Sequence, residues 1–199
     1  MRKILLFTFL ILSLCLNLKA DGEMILDSSN ALQNIIQNKR IPKALVDRSI
    51  AMIVLPDVRQ GGLVLGGLVG DGIMVQKAQS GWTKPVYASI RGGSVGLQIG
   101  YQKSDMVFFI LSSKVLEDML SQKLTLGIDA TATAWNYGEN YVNMTDFKFT
   151  SDIYVFAENK GFFAGLSLGG GVMSVDKNQV SSTSYAQERW QGVLDMLNK

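Results

Sequence analysis

Apolar positions along this chain change their period several times, and each change marks an element. Residues 4–14 form an almost unbroken apolar run. In "DSSNALQNIIQN" (27–38), Ala31, Leu32, Ile35 and Ile36 recur at helical spacing, and Asp27 or Ser28 stands where a cap belongs. Pro42 suits the first turn of a second short helix reaching about residue 48. "IAMIVLP" (50–56) is a continuous apolar run, which predicts a buried strand. "GGLVLGGLVGDGIMVQK" (61–77) is a strand pair or one long bent strand, with Leu63 and Leu65 on one face and Val64 and Leu68 on the other. Apolar residues on both faces predict cover on both sides.

Strict alternation follows. Over 91–101, Gly92, Ser94, Gly96, Gln98 and Gly100 fall on one face, and Gly93, Val95, Leu97, Ile99 and Tyr101 on the other. "DMVFFILS" (105–112) predicts a buried strand, and 113–123 a helix with Val115, Leu116, Met119 and Leu120 on one side. Residues 125–138 alternate again, 140–149 read as a loop or edge hairpin, and 152–163 as strand, turn, strand with "ENKG" as the turn. Over 161–173, Gly165, Ser167 and Gly169 share a small-residue face. A closing helix over 184–199 has Trp190, Val193, Leu194 and Leu197 as its stripe. The fold class is α+β: a mainly antiparallel, glycine-rich sheet, with barrel-like closure within its reach, short N-terminal helices, one middle helix and a C-terminal helix.

The first twenty residues stand apart. Arg2 and Lys3, the apolar run, and small Ala20 before Asp21 follow the three-part plan of a secretory signal peptide. The run is shorter than the roughly 20 residues that span a bilayer. A retained membrane anchor is one alternative, and lipid attachment at Cys15 another, although bulky Leu14 precedes that cysteine. Residues 21–199 then make a single domain in an exported, periplasmic setting. Loss of Arg2, Lys3 and Lys19 leaves 16 basic against 17 acidic residues, so the net charge moves from +2 to −1. Nucleic-acid binding, which needs a concentrated basic field, is not expected. Without Cys15 the domain has no thiol or disulfide.

Two Gly-x-Ser-x-Gly strings, at Gly92–Gly96 and Gly165–Gly169, carry the pattern of a nucleophile elbow. The chain has no histidine, so a Ser-His-Asp triad and histidine-based zinc sites are excluded. A Ser-Lys dyad remains formally open, without a plausible Ser-x-x-Lys string. An elbow also needs a sharp strand-to-helix turn, whereas alternation continues past both serines. "GGLVLGGLVGDG" lacks the Gly-Lys-Ser/Thr ending of a phosphate loop. No catalytic residue, cofactor or metal is assigned. Two features remain. Lys39, Arg40, Lys43 and Arg48 form either a solvated helix junction or an edge that meets anionic headgroups. The glycine-serine faces carrying Gly92, Ser94, Gly96, Gln98, Gly100, Gly165, Ser167 and Gly169 serve close packing or leave a groove.

Four segments in order, 50–74, 81–111, 124–134 and 159–178, resemble the SYLF domain, the Las17-binding or actin-regulator family. The resemblance rests on Pro56, Gly61, Gly66, Trp82, Pro85, Gly96, Gln98, Gly100, Asp105, Lys160, Gly161, Phe163, Gly165, Ser167 and Gly170. It covers about residues 40–178. The chain departs from the family pattern at "WNYGEN" (135–140) and "STSYAQ" (182–187). The resemblance implies a lipid-binding or membrane-associated module without catalytic residues. Eukaryotic relatives bind phosphoinositides and actin, and bacterial relatives are exported envelope proteins. The expectation is therefore an exported module whose partner is phospholipid or a membrane surface. A structural protein with an envelope protein partner is the alternative, a histidine-independent serine hydrolase ranks last, and actin is set aside.

Overall fold

The computed structural model describes residues 22–39, 41–62, 65–95, 100–134, 149–160 and 170–198. Every described element lies within 22–198. Helix α1 covers 22–38 and α2 Lys43–Arg48. Strands β1 (Ala51–Gly62), β2 (Leu65–Ala78), β3 (Gly81–Trp82), β4 (Val86–Val95) and β5 (Gly100–Ile110) follow. Then come α3 (Ser113–Ser121), β6 (Leu124–Thr125), β7 (Ala132–Ala134), β8 (Ile153–Lys160), β9 (Val172–Gln179) and α4 (Ser184–Leu197).

All nine described strands join one sheet in the order β6-β9-β4-β2-β1-β5-β8-β7, with β3 on β2. Every pairing is antiparallel except β7 on β8. The ends of this order, β6 and β7, are consecutive in the chain, with only residues 126–131 between them. A flat sheet would place them about 33 Å apart, at ~4.8 Å per strand spacing. The link can reach at most about 25 Å when taut, and it is not taut, because Gly127 N–H donates to Ala130 O at 2.9 Å. The sheet must therefore curl, and it forms a half-barrel.

Leu124, Leu126 and Ala130 of this link region pack with Ile53, Leu55, Met74, Ile90, Met106, Phe108 and Ile110. That face is the concave, inner one, and α3 closes it with Val115 and Met119. The outer face carries Met52, Val54, Ile73, Val75, Val107, Phe109, Tyr154 and Phe156. Helices α1, α2 and α4 cover it with residues such as Leu32, Ile35, Leu45, Trp190 and Leu194. Cover on both faces explains why β1 and β5 read as unbroken apolar runs. Thr183 caps α4, its side chain accepting from Ala186 N–H at 3.2 Å. Thr183→Ala should cost about 1 kcal/mol, read as a lower urea midpoint with unchanged slope.

The curl is sharpened by a bulge. Register between β1 and its neighbours shifts between Val54 and Arg59 on β2, and between Leu55 and Val58 on β5. Pro56 sits inside it, and Asp57 adopts φ 51°. Asp105, 1% exposed, accepts from Asp57 N–H at 3.1 Å. Bulges bend a strand and raise its twist. The inner face consequently passes from Ile53 and Leu55 to Val58 and then Gln60.

Several boundaries differ from the sequence reading. The first strand does not stop at Pro56: the bulge absorbs the proline and β1 runs to Gly62. Of the two readings of 61–77, the strand pair holds: 61–62 end β1, and 65–77 lie in β2, which pairs with it antiparallel. Residues 91–101 are not one strand, because β4 ends at Val95 and β5 starts at Gly100, with β2 and β1 between them in the sheet. The alternation over 125–138 is broken by a turn at 127–129, where Gly127 takes φ 81° and Asp129 Oδ2 accepts from Thr125 N–H at 2.7 Å. "ENK" is no turn: Glu158, Asn159 and Lys160 extend β8 opposite Asp105, Ser104 and Lys103. Side chains that suit a turn are held in a strand by ladder pairing on β5.

Candidate functional site

The basic cluster of the N-terminal helices is dispersed onto separate partners. Lys39 Nζ lies 3.2 Å from Glu158 Oε2 on β8. Lys43 Nζ donates to Asn198 O at 2.9 Å, at the end of α4. Arg48 stacks 5.3 Å above the Phe149 ring. Arg40 lies outside the described residues. These cations dock helices onto the sheet and onto each other.

Ser94 lies in β4 one residue before its end, in register with Gly66 of β2. The next described element is strand β5, not the helix that an elbow requires. Gly66 pairs with Gly62, and Gly62 with Gly100. Ser94, Gly66, Gly62 and Gly100 thus stand in one register row across four strands rather than along one. Gly92 is a packing position: a Cβ there would sit 3.1 Å from Gly171 Cα. Gly96, Gln98, Gly165, Ser167 and Gly169 lie outside the described residues.

The outer face of the same sheet end carries a constellation the sequence reading did not single out. Register sets Lys103 opposite Arg59, Arg59 opposite Val69, and Val69 opposite Arg91. One row nearer the end stand Tyr101, Gly61, Gly67 and Gly93. One row farther in stand Asp57 and Asp71. Arg91 Nη2 pairs with Asp71 Oδ1 at 2.6 Å, and its Nη1 donates to Gly70 O at 2.6 Å. Lys103 Nζ lies 3.7 Å from Asp57 Oδ2. Arg59 is exposed and has no ion pair among the described residues. Tyr101 is 61% exposed and Val69 40%. Arg59, Gln60, Gly61, Gly67, Leu68, Val69, Gly92 and Tyr101 line an open hollow of about 490 Å³.

A second hollow, of about 370 Å³, lies between α4 and the β3–β4 connection, with Trp82, Lys84, Gln187 and Trp190 among its walls. Among the described residues, no group of three or more histidine, cysteine or acidic side chains could hold a metal ion. No described helix is long and apolar enough to cross a membrane.

One carboxyl has a displaced titration. Asp152 is held below its ordinary value of 3.8, first by the backbone N–H of Thr131 and then by the Thr131 hydroxyl, at 2.9 and 2.7 Å. A depressed folded-state value contributes stability that is complete above 3.8 and lost as pH falls through the lower one. Asp152→Asn should therefore lower the neutral-pH melting temperature and flatten the acid limb, and equal acid slopes in mutant and wild type would contradict this.

The family profile described as "Las17-binding protein actin regulator" (Ysc84) matches residues 91–191, from Arg91 of the basic row through most of α4. The chain belongs to the Ysc84, or SYLF, family. The human "SH3 domain-containing YSC84-like protein 1" is 26% identical over 153 residues, covering 76% of this chain and 44% of that protein. "SH3 domain-containing protein PJ696.02" of Schizosaccharomyces pombe is 25% identical over 172 residues, covering 84% and 39%. "Protein YSC84" of Saccharomyces cerevisiae is 24% identical over 134 residues, covering 65% and 28%. The chain thus spans less than half the length of these curated relatives. The family description names a binding protein and a regulator.

Membership agrees with the resemblance drawn from the glycine strings, Asp105 and the late Lys-Gly-x-Phe segment. The basic row escaped that reading for a physical reason. Arg59, Arg91 and Lys103 lie on three strands and neighbour only isolated charges in the sequence, so no local window contains a patch. Only the strand order and the bulge-corrected register bring them together.

Proposed function

We propose that this member of the family is an exported, non-enzymatic module that works at a membrane surface of the cell envelope. The observation that carries the reading is the exposed Tyr101 and Val69 over a glycine platform, edged by Arg59, Lys103 and Arg91. An aromatic ring with a polar tip beside cations matches the chemistry of a lipid–water boundary. Export rests on the plan of residues 1–20. Las17 and actin stay with the family description that carries them.

The test uses residues 21–199, which contain every described element. The protein is spun with anionic and with neutral phospholipid vesicles at low and high salt. Pelleting with anionic vesicles, weakened by salt, supports the reading. Absence of pelleting in every condition overturns it and turns attention to protein partners in the envelope.

A further inference from the structure

We propose a small-molecule site that is independent of the membrane reading: the hollow between α4 and the β3–β4 connection takes a small organic carboxylate with an apolar, ring-sized body.

The hollow lies toward the other end of the strands from the basic row. Val86, at the start of β4, is in register with Gln179, at the end of β9. The chain beside this pair, 82–85 and 180–182, makes two walls. Val180 N–H donates to Pro85 O at 3.0 Å, and Thr83 N–H to Gln76 O at 2.8 Å. The Thr83 hydroxyl accepts from Gln76 N–H at 2.9 Å. Both walls are thus pinned, one to the other and to β2. The third wall is α4. Its residues 187, 190, 191 and 194 follow the i, i+3, i+4, i+7 spacing of one helix face, and all four line the hollow. Gln187 Nε2 donates to Ser182 Oγ at 2.8 Å, which ties α4 to the second wall. The fold therefore holds the walls before any ligand arrives.

Three features of the lining select the ligand. The first is an apolar floor of Ile25, Val180 and Leu194, flanked by the indoles of Trp82 and Trp190. Such a floor suits a flat hydrocarbon body, and a volume of about 370 Å³ limits it to a compact one. The second is charge. Among the described residues, Lys84 is the one charged side chain in the lining, with no Asp or Glu beside it there. Lys84 is exposed and has no ion pair among the described residues. A cationic ligand would meet only like charge, whereas one negative charge is complemented. Neighbouring charges are engaged elsewhere. Lys77 Nζ, 5.6 Å from the Trp82 ring centroid, donates to Val46 O at 3.0 Å and Asp47 O at 3.1 Å. Asp195 accepts from Gln191 Nε2 at 3.0 Å, outside the lining. The third feature is a donor. Trp190 is 4% exposed, and its Nε1 has no hydrogen-bond partner among the described residues. A buried indole N–H ordinarily finds an acceptor. An ionised carboxylate is acceptor-only, so it matches both the Lys84 and the Trp190 donors in kind.

The experiment uses the protein purified after expression of the full chain, labelled for nitrogen NMR. The chain has three tryptophans. Trp82→Phe and Trp135→Phe assign two indole N–H signals and leave the third to Trp190, which stays intact. The probes are phenylacetate, which has ring and charge, phenylacetamide, its neutral isostere, and acetate, which has charge without ring. Phenylacetate should shift the Trp82 and Trp190 signals to saturation. Phenylacetamide should bind about fivefold more weakly, the upper range for a solvent-facing ion pair, and acetate should leave both signals in place. Lys84→Gln, checked by circular dichroism and melting, should reduce phenylacetate to the affinity of the amide and leave the amide unchanged. Lys177→Gln, on β9 outside the lining, should change neither. Absence of a saturable shift overturns the site. Equal binding of amide and carboxylate, or wild-type binding of phenylacetate by Lys84→Gln, overturns the carboxylate assignment. Saturation by acetate at the same concentrations overturns the need for a ring.

Discussion

Gly72→Ala is expected to abolish the stable fold or to cost at least about 3 kcal/mol, the upper range for overpacking. A Cβ at Gly72 would meet Val54 O at 2.0 Å, Leu55 Cα at 3.0 Å and Pro56 Cδ at 3.0 Å. Two of these are backbone atoms of the bulged strand and cannot swing aside. The bulge is itself fixed from the other side, because Asp105 accepts from Asp57 N–H and β5 pairs with β1 on both flanks of the shift. The alanine methyl must therefore push β1 off β2 at the point where the sheet bends. Domains of this size hold about 5–15 kcal/mol in total, so most of the protein should be lost to aggregation or give a strongly reduced urea midpoint. A melting temperature within error of wild type would contradict this account. Gly67→Ala is the control: nothing lies within 4 Å of its added methyl, and a small effect is expected.

Phe109→Ala is expected to cost about 3–5 kcal/mol. Phe109 is fully buried on the central strand β5, in the outer-face cluster under the helices. Its ring meets Phe156 of β8 edge to face, with centroids 5.7 Å apart and planes at 87°. Removal leaves a cavity between two paired strands, and neither strand can collapse into it without breaking register. Chemical denaturation should show the loss with the denaturant slope retained. Phe109→Leu should recover more than half of it by refilling volume. Equal effects for alanine and leucine would show that ring geometry, rather than volume, holds the site.

The parts of the fold visible in the sequence are those with a local cause. The stripes at Ala31–Ile36, Val115–Leu120 and Trp190–Leu197 each sit within one helix, and each helix is present. Runs such as "MIVL" and "VFFI" are strands buried on both faces. What escaped was set by distant partners. Glu158–Lys160 carry turn-like side chains yet lie in β8 because β5 supplies the ladder. Pro56 suits a strand end, yet β1 continues because a bulge places its missing N–H outside the ladder. The alternation over 91–101 hides a change of strand, since glycine at 96 or 100 fits a strand and its end equally well. For the site, Tyr101 was visible as one member of a face, and its basic neighbours were not. The cations chosen from their sequence proximity, Lys39, Lys43 and Arg48, are held by three different partners.

The short link over 126–131 acts on the half-barrel as a drawstring. It ties the two ends of the strand order, so neither end can swing outward without tightening the other. The link thus resists splaying of the inner face, which Phe108, Met106 and their neighbours fill. A partner that meets the described residues therefore meets a closed surface, because the curl keeps the packed side chains of the inner face out of its reach.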